Sequence, residues 1–128
     1  MKYLYHGSKV LLDRLDPKKA FGFGGAGDCK NGVYAVEDIN LAIPFSFTLI
    51  NLSSESIFKV DTQVNPPIVT LVNCDLNWKE FGYVYKLDST TFEKVDELQW
   101  VSSISVKPLE IIRINPIEFK SWVKSERT

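Results

Sequence analysis

Short apolar runs, several of them aromatic or β-branched and punctuated by Gly, Pro and Asp, recur along this chain and predict strands more often than helices. Residues 3–5, Tyr-Leu-Tyr, predict a short aromatic strand ending at Gly7. Residues 10–15 form a short apolar stretch, stopped by Asp16-Pro17. Residues 32–36, Gly-Val-Tyr-Ala-Val, predict the next strand. Asp38 then offers a side-chain acceptor suited to a helix N-cap. Leu41, Ala42, Phe45, Leu49 and Leu52 follow at helical spacing and predict a helix to about residue 50, which Pro44 should distort or shorten. Residues 57–60 predict a strand, and the continuous β-branched run 68–72 predicts a buried one. Residues 73–81 read as a polar connection containing Trp78, 83–87 as a strand and 88–91 as a loop. Residues 99–103 and 109–114 predict two more strands, split at Lys107-Pro108. Pro116 should open a short helix from its first position, where a missing N–H costs nothing, with Phe119, Trp122 and Val123 as its apolar stripe. Residues 124–128 read as a polar tail. The sum is about six or seven strands and two or three short helices. Strands dominate the second half without helical crossovers, which predicts an α+β fold with a split, mostly antiparallel β core.

Composition narrows the class. A length of 128 residues, 45% hydrophobic and 24% charged, fits one domain over 1–128 with a real core and excludes a disordered tail. No apolar run reaches the roughly 20 residues of a membrane span, and the N-terminus lacks the apolar run of a signal peptide, so the expected location is cytoplasmic. Two cysteines, Cys29 and Cys74, make no disulfide framework, and no Cys/His cluster makes a metal site. A formal net charge of −1 argues against a nucleic-acid binder relying on a large basic face, without excluding an enzyme that acts on nucleic acid in a small cleft.

Three patches suggest chemistry. Tyr5-His6-Gly7-Ser8 follows the first strand and holds the one histidine of the chain. Asn31-Gly32-Val33-Tyr34-Ala35 precedes the segment carrying Phe45. Glu97-Leu98-Gln99-Trp100-Val101 enters a late strand from a polar loop. Each has a bland reading: a turn at a strand end, a core aromatic, a solvated edge. Their order and company go further.

In that order the chain resembles the ADP-ribosyltransferase superfamily, in the branch typified by diphtheria toxin and the poly(ADP-ribose) polymerases, which is marked by a His-Tyr-Glu triad on three strands. Tyr5-His6-Gly7-Ser8 matches the aromatic-His-Gly-Ser/Thr motif. Gly32-Val33-Tyr34-Ala35, with Phe45 eleven positions beyond Tyr34, matches the second. Gln99-Trp100-Val101-Ser102, with Pro108-Leu109-Glu110-Ile111-Ile112 behind it, matches the frame of the third, with glutamine in place of the expected glutamate. The resemblance spans residues 3–114.

The resemblance implies an NAD site and a transferase that breaks the nicotinamide–ribose bond, passing ADP-ribose to a macromolecular acceptor. Tyr34 and Phe45 would sandwich the nicotinamide ring, since stacked aromatic pairs gain energy beyond area burial. The backbone of Gly7 would hold the carboxamide, His6 the adenosine ribose hydroxyls, and Ser8 a polar contact nearby. The glycine-rich stretch 22–27 would cover the pyrophosphate or adenine end. It lacks the glycine spacing of a dinucleotide-binding βαβ unit. His6, Tyr34 and Gln99 are the expected catalytic residues. A carboxylate at position 99 would face the oxocarbenium-like charge. At ~4 Å and an effective dielectric near 20, that attraction is roughly 4 kcal/mol, on the order of 10³-fold in rate. Gln99 keeps the shape and loses the charge.

Three accounts of Gln99 fit the sequence: an inactivating Glu→Gln change, a natural glutamine in an NAD-binding relic, or replacement by Glu97, since residues two apart on a strand share a face. The loop before the third motif, 88–98, is where this superfamily reads its target. Here it is short and carries Phe92 as an exposed-looking aromatic. Trp78, Trp100 and Trp122 read as core or rim. A small free-standing transferase suggests a toxin-like effector with an antitoxin partner. The competing readings are a catalytically dead NAD-binding module, an enzyme like the RNA 2′-phosphotransferases (against which stands the lack of an Arg/His cluster), and a non-enzymatic interaction domain.

Overall fold

The computed structural model describes residues 2–19 and 31–128. The glycine-rich loop expected over 21–28, and Cys29, lie outside the described residues. Strands dominate. They are β1 (Tyr3–Ser8), β2 (Lys18–Lys19), β3 (Asn31–Val36), β4 (Leu49–Ile50), β5 (Ile57–Asp61), β6 (Ile68–Val72), β7 (Asp75–Leu76), β8 (Gly82–Asp88), β9 (Phe92–Lys94), β10 (Gln99–Ser102), β11 (Glu110–Ile114) and β12 (Val123–Glu126). One short α-helix, α1 (Ile39–Ala42), and three 3-10 segments, Ile43–Ser46, Ser89–Thr91 and Pro116–Trp122, complete the described elements. The chain is α+β, mostly antiparallel, with few short helices.

The main sheet runs β11-β8-β1-β3-β10-β9, with β2 also on β3. All its pairs are antiparallel. Cross-strand partners share a face and neighbours along a strand alternate, so the registers sort the side chains. Tyr5, Val36 and Gln99 form one row, because Val36 faces both of the others. Ser8, Tyr83 and Arg113 form a row on the opposite face. The first face packs Val36, Val84 and Ile114 against Ala42, Ile43, Phe47 and the buried residues of β6 and β7. The second packs Leu4, Val33, Ala35, Tyr85 and Leu87 against Leu15, Phe92 and Val106. Two smaller sheets, β12-β6-β5 and β4-β7, flank the first face.

Local signals held where the chemistry is local. The Asp38 side chain caps α1, accepting from Asn40 N–H at 2.9 Å. Pro116 occupies the first turn of its 3-10 segment, and Asn115 caps it. Other expectations need correction. The helix expected to residue 50 stops after four α residues. Pro44 tightens the next turn into a 3-10 form, and the chain is extended again by Leu49. The β-branched strand β6 is buried on alternate residues only. The supposed polar tail is β12, pairing in parallel with β6 from Val123↔Val69 to Glu126↔Val72. The polar connection 73–81 contains β7, and the loop after residue 91 contains β9. The described strands number twelve, not six or seven: four more (β2, β4, β7 and β9) are only two or three residues long and exist through their partners, and the fifth is β12. Phe92 is not exposed: it is 7% accessible and sits in the second core, opposite Ser102.

Candidate functional site

β1 pairs with β8 along its whole length, from Tyr3↔Asp88 to Ser8↔Tyr83. It pairs with β3 at one position, Tyr5↔Val36. Beyond that row the two strands part. A cleft of about 790 Å³ occupies the parting, within the usual size range of small-ligand sites. Its wall carries His6, Gly7 and Ser8 from β1, Tyr34 from β3, Phe45 from the 3-10 turn and Gln99 from β10. All six sequence-predicted site residues therefore meet in one cavity. Tyr34 and Gln99 lie on the first face of the sheet; His6 and Ser8 lie on the second. The cleft is thus lined by residues from both faces of the sheet.

Gly7 is required by packing. A Cβ there would lie 2.0 Å from the Ala42 carbonyl oxygen and 3.2 Å from Phe45 Cβ. Only a residue without a side chain lets α1 and its 3-10 extension settle against β1. That settling puts Phe45 at the cleft, where its ring also meets Phe58 edge-on, with centroids 5.7 Å apart.

His6 fills the place of a lost ladder bond. Its Nδ1 lies 2.6 Å from the Tyr34 carbonyl oxygen. A carbonyl only accepts, so Nδ1 carries the proton and donates. Burial holds the His6 pKa below its ordinary value, and the Lys18 charge adds to this against the opposing Tyr34 bond. The neutral ring then leaves Nε2 as an acceptor, suited to a ligand hydroxyl.

Gln99 is 3% accessible, and its amide is tied down. Nε2 donates to Asp96 Oδ2 at 2.9 Å. Asp96 Oδ1 accepts from the backbone N–H of Leu98 at 2.9 Å and of Gln99 at 2.7 Å. This Asp-centred turn closes the β9–β10 hairpin, where Val95 N–H also donates to the Gln99 carbonyl. The substitute role of Glu97 fails on geometry. Glu97 is exposed in the bend before β10, outside the strand whose alternation the expectation used, and it does not line the cleft.

Sequence reasoning missed three groups. Asp96 was detectable as an Asp preceding two backbone donors, the usual sequence form of such a turn. Lys9, Arg14 and Lys18 line the cleft. Asp16 is the one acidic residue among its described lining, and it pairs with Arg14 at 3.3 Å. This basic wall in a chain of net charge −1 has no local sequence signature, because the fold assembles it. Tyr85, wholly buried on β8, donates to the Val10 carbonyl at 2.6 Å and accepts from Leu12 N–H at 2.7 Å, fixing the segment that forms the cleft mouth. The tryptophans are core or rim: Trp78 and Trp122 pack on the first core, Trp100 on the second, with its indole N–H on Glu37 at 3.0 Å.

Among the described residues no helix is long and apolar enough to cross a membrane, and no cluster of His, Cys, Asp or Glu could hold a metal ion. Compared with family models, curated proteins and solved structures, the chain matches none.

Proposed function

We propose that the chain binds NAD in the β1–β3 cleft and acts as an ADP-ribosyltransferase with the corresponding fold, releasing nicotinamide and passing ADP-ribose to a macromolecular acceptor. One observation carries this reading: His6, Gly7, Ser8, Tyr34, Phe45 and Gln99, drawn from three separated motifs, line one cavity. The aromatic side of the cleft suits a flat amide-bearing ring. Gly7 lies on the edge of β1 that β3 has left, where its backbone can face a carboxamide. The His6 Nε2 acceptor suits a ribose hydroxyl. Lys9, Arg14 and Lys18 suit a pyrophosphate, and Asp16 offsets only part of their charge.

The test is an NAD titration followed by thermal unfolding and by Trp/Tyr fluorescence. Ligand at about 100 times its Kd should stabilise the fold by roughly 2.7 kcal/mol. Tyr34→Ala should bind at least about tenfold more weakly, since it loses ring stacking as well as buried area. Absence of any shift, or a Tyr34→Ala protein that binds as tightly as the parent, overturns the proposal. A second reading, NAD binding without turnover, is favoured by the uncharged, internally bonded Gln99. Mass spectrometry of nicotinamide release separates the two.

A further inference from the structure

We infer that Asp96 is a positioning residue that works through Gln99, supplying from one hydrogen bond behind the cleft the negative charge that a glutamate at position 99 would carry. The inference rests on the proposed reading of the cleft and extends it to how the site handles charge.

A carboxylate accepts and cannot donate. The Asp96–Gln99 contact at 2.9 Å therefore fixes the amide with nitrogen toward Asp96. Gln99 lines the cleft, so its Oε1 is the oxygen left for a ligand hydroxyl. Asp96 is itself held by two backbone N–H groups, from Leu98 and Gln99, so the orientation is set by the hairpin and not by the ligand. Hydrogen bonds in series polarise one another, so the carboxylate behind the amide makes Oε1 a better acceptor.

As the C–N bond to nicotinamide breaks, its electron pair leaves with the nicotinamide. Positive charge builds on the ribose until an acceptor lone pair forms the new bond and the acceptor's proton passes to solvent. The Asp96 charge would stand ~8 Å from that ribose carbon, one amide and one hydrogen bond further back than a glutamate at ~4 Å. At an effective dielectric of 20 this distance keeps about 30-fold of rate, where the nearer charge gives about 10³-fold. On this geometry Gln99→Glu alone should not give a working carboxylate site, because it sets two carboxylates about 3 Å apart, and like charges that close are strongly unfavourable.

The experiment exchanges the two groups. Asp96→Asn, Gln99→Glu and the double variant are compared with the parent in thermal unfolding without ligand, in NAD titration and in nicotinamide release. Gln99→Glu should unfold at lower temperature than the parent at pH 8, and the added Asp96→Asn should restore stability by donating its amide to the new carboxylate. Asp96→Asn alone should turn the Gln99 amide round and slow nicotinamide release about 30-fold, with NAD affinity changed far less. The double variant should release nicotinamide up to about 30-fold faster than the parent, and it carries the test if parent turnover falls below detection. If Gln99→Glu is as stable as the parent, or the double variant is no more active than Gln99→Glu, the inference is overturned. If none of the proteins binds NAD, the reading of the cleft falls, while the unfolding data still decide whether the pair is coupled.

Discussion

Tyr85→Phe isolates how the fold holds the cleft mouth. Tyr85 is wholly buried on β8, beside His6 in the register, and its hydroxyl serves two backbone groups at once. Burial pushes its pKa up, so the neutral phenol is the form that makes both bonds. The variant removes one oxygen and leaves the ring in place. Two outcomes are physically distinct. If residues 10–12 stay put, the Leu12 N–H and Val10 C=O lose their partner and each costs about 1 kcal/mol or more, giving a loss of about 2–3 kcal/mol. If the segment swings to water instead, the loss shrinks toward about 1 kcal/mol, but the Leu12 amide becomes open to exchange. Denaturant unfolding measures the first and hydrogen exchange the second. In the second case NAD affinity should fall as well, because Val10 and Leu12 line the cleft. A Tyr85→Phe protein within about 0.5 kcal/mol of the parent, with Leu12 equally protected, would refute the clamp.

Gly7→Ala should destabilise the protein by about 1–3 kcal/mol, as overpacking against the Ala42 backbone does, and should weaken NAD binding by moving Phe45; calorimetry and titration check both. Because burial lowers the folded-state pKa of His6, its contribution is present above pH 6.5, where the unfolded chain is also neutral, and is lost as pH falls from 6.5 toward the folded value, where only the unfolded chain takes up the proton. Unfolding temperatures from pH 7.5 to 5.0 should therefore drop more for the parent than for His6→Gln, and parallel profiles would contradict the burial. Glu37 is exposed and meets Lys2 at 2.9 Å, Lys94 at 3.8 Å and the Trp100 indole. Glu37→Gln should leave the unfolding temperature almost unchanged, and any loss should shrink further at high salt.

The sequence by itself determined what local chemistry decides. Asp38 caps, Pro44 breaks, Pro116 starts, and the β-branched run 68–72 extends, because each acts through backbone groups a few residues away. The resemblance motifs also single out His6, Gly7, Ser8, Tyr34, Phe45 and Gln99, which line one cavity. Tertiary structure decided the rest. Strands of two or three residues such as β4, β7 and β9 have no periodicity to read and exist only as partners. The polar residues of β12 became a strand because β6 offered it an edge. Phe92, exposed by its neighbours' composition, was buried by the face its register gave it. The site depends on the same non-local terms. One surviving row between β1 and β3 opens the cleft, a hydroxyl 73 residues away from Leu12 shapes its mouth, and Asp96 sets the Gln99 amide. The sequence proposed which side chains belong together; only pairing and burial, summed over the whole sheet, brought them into one cavity and gave Gln99 the carboxylate behind it.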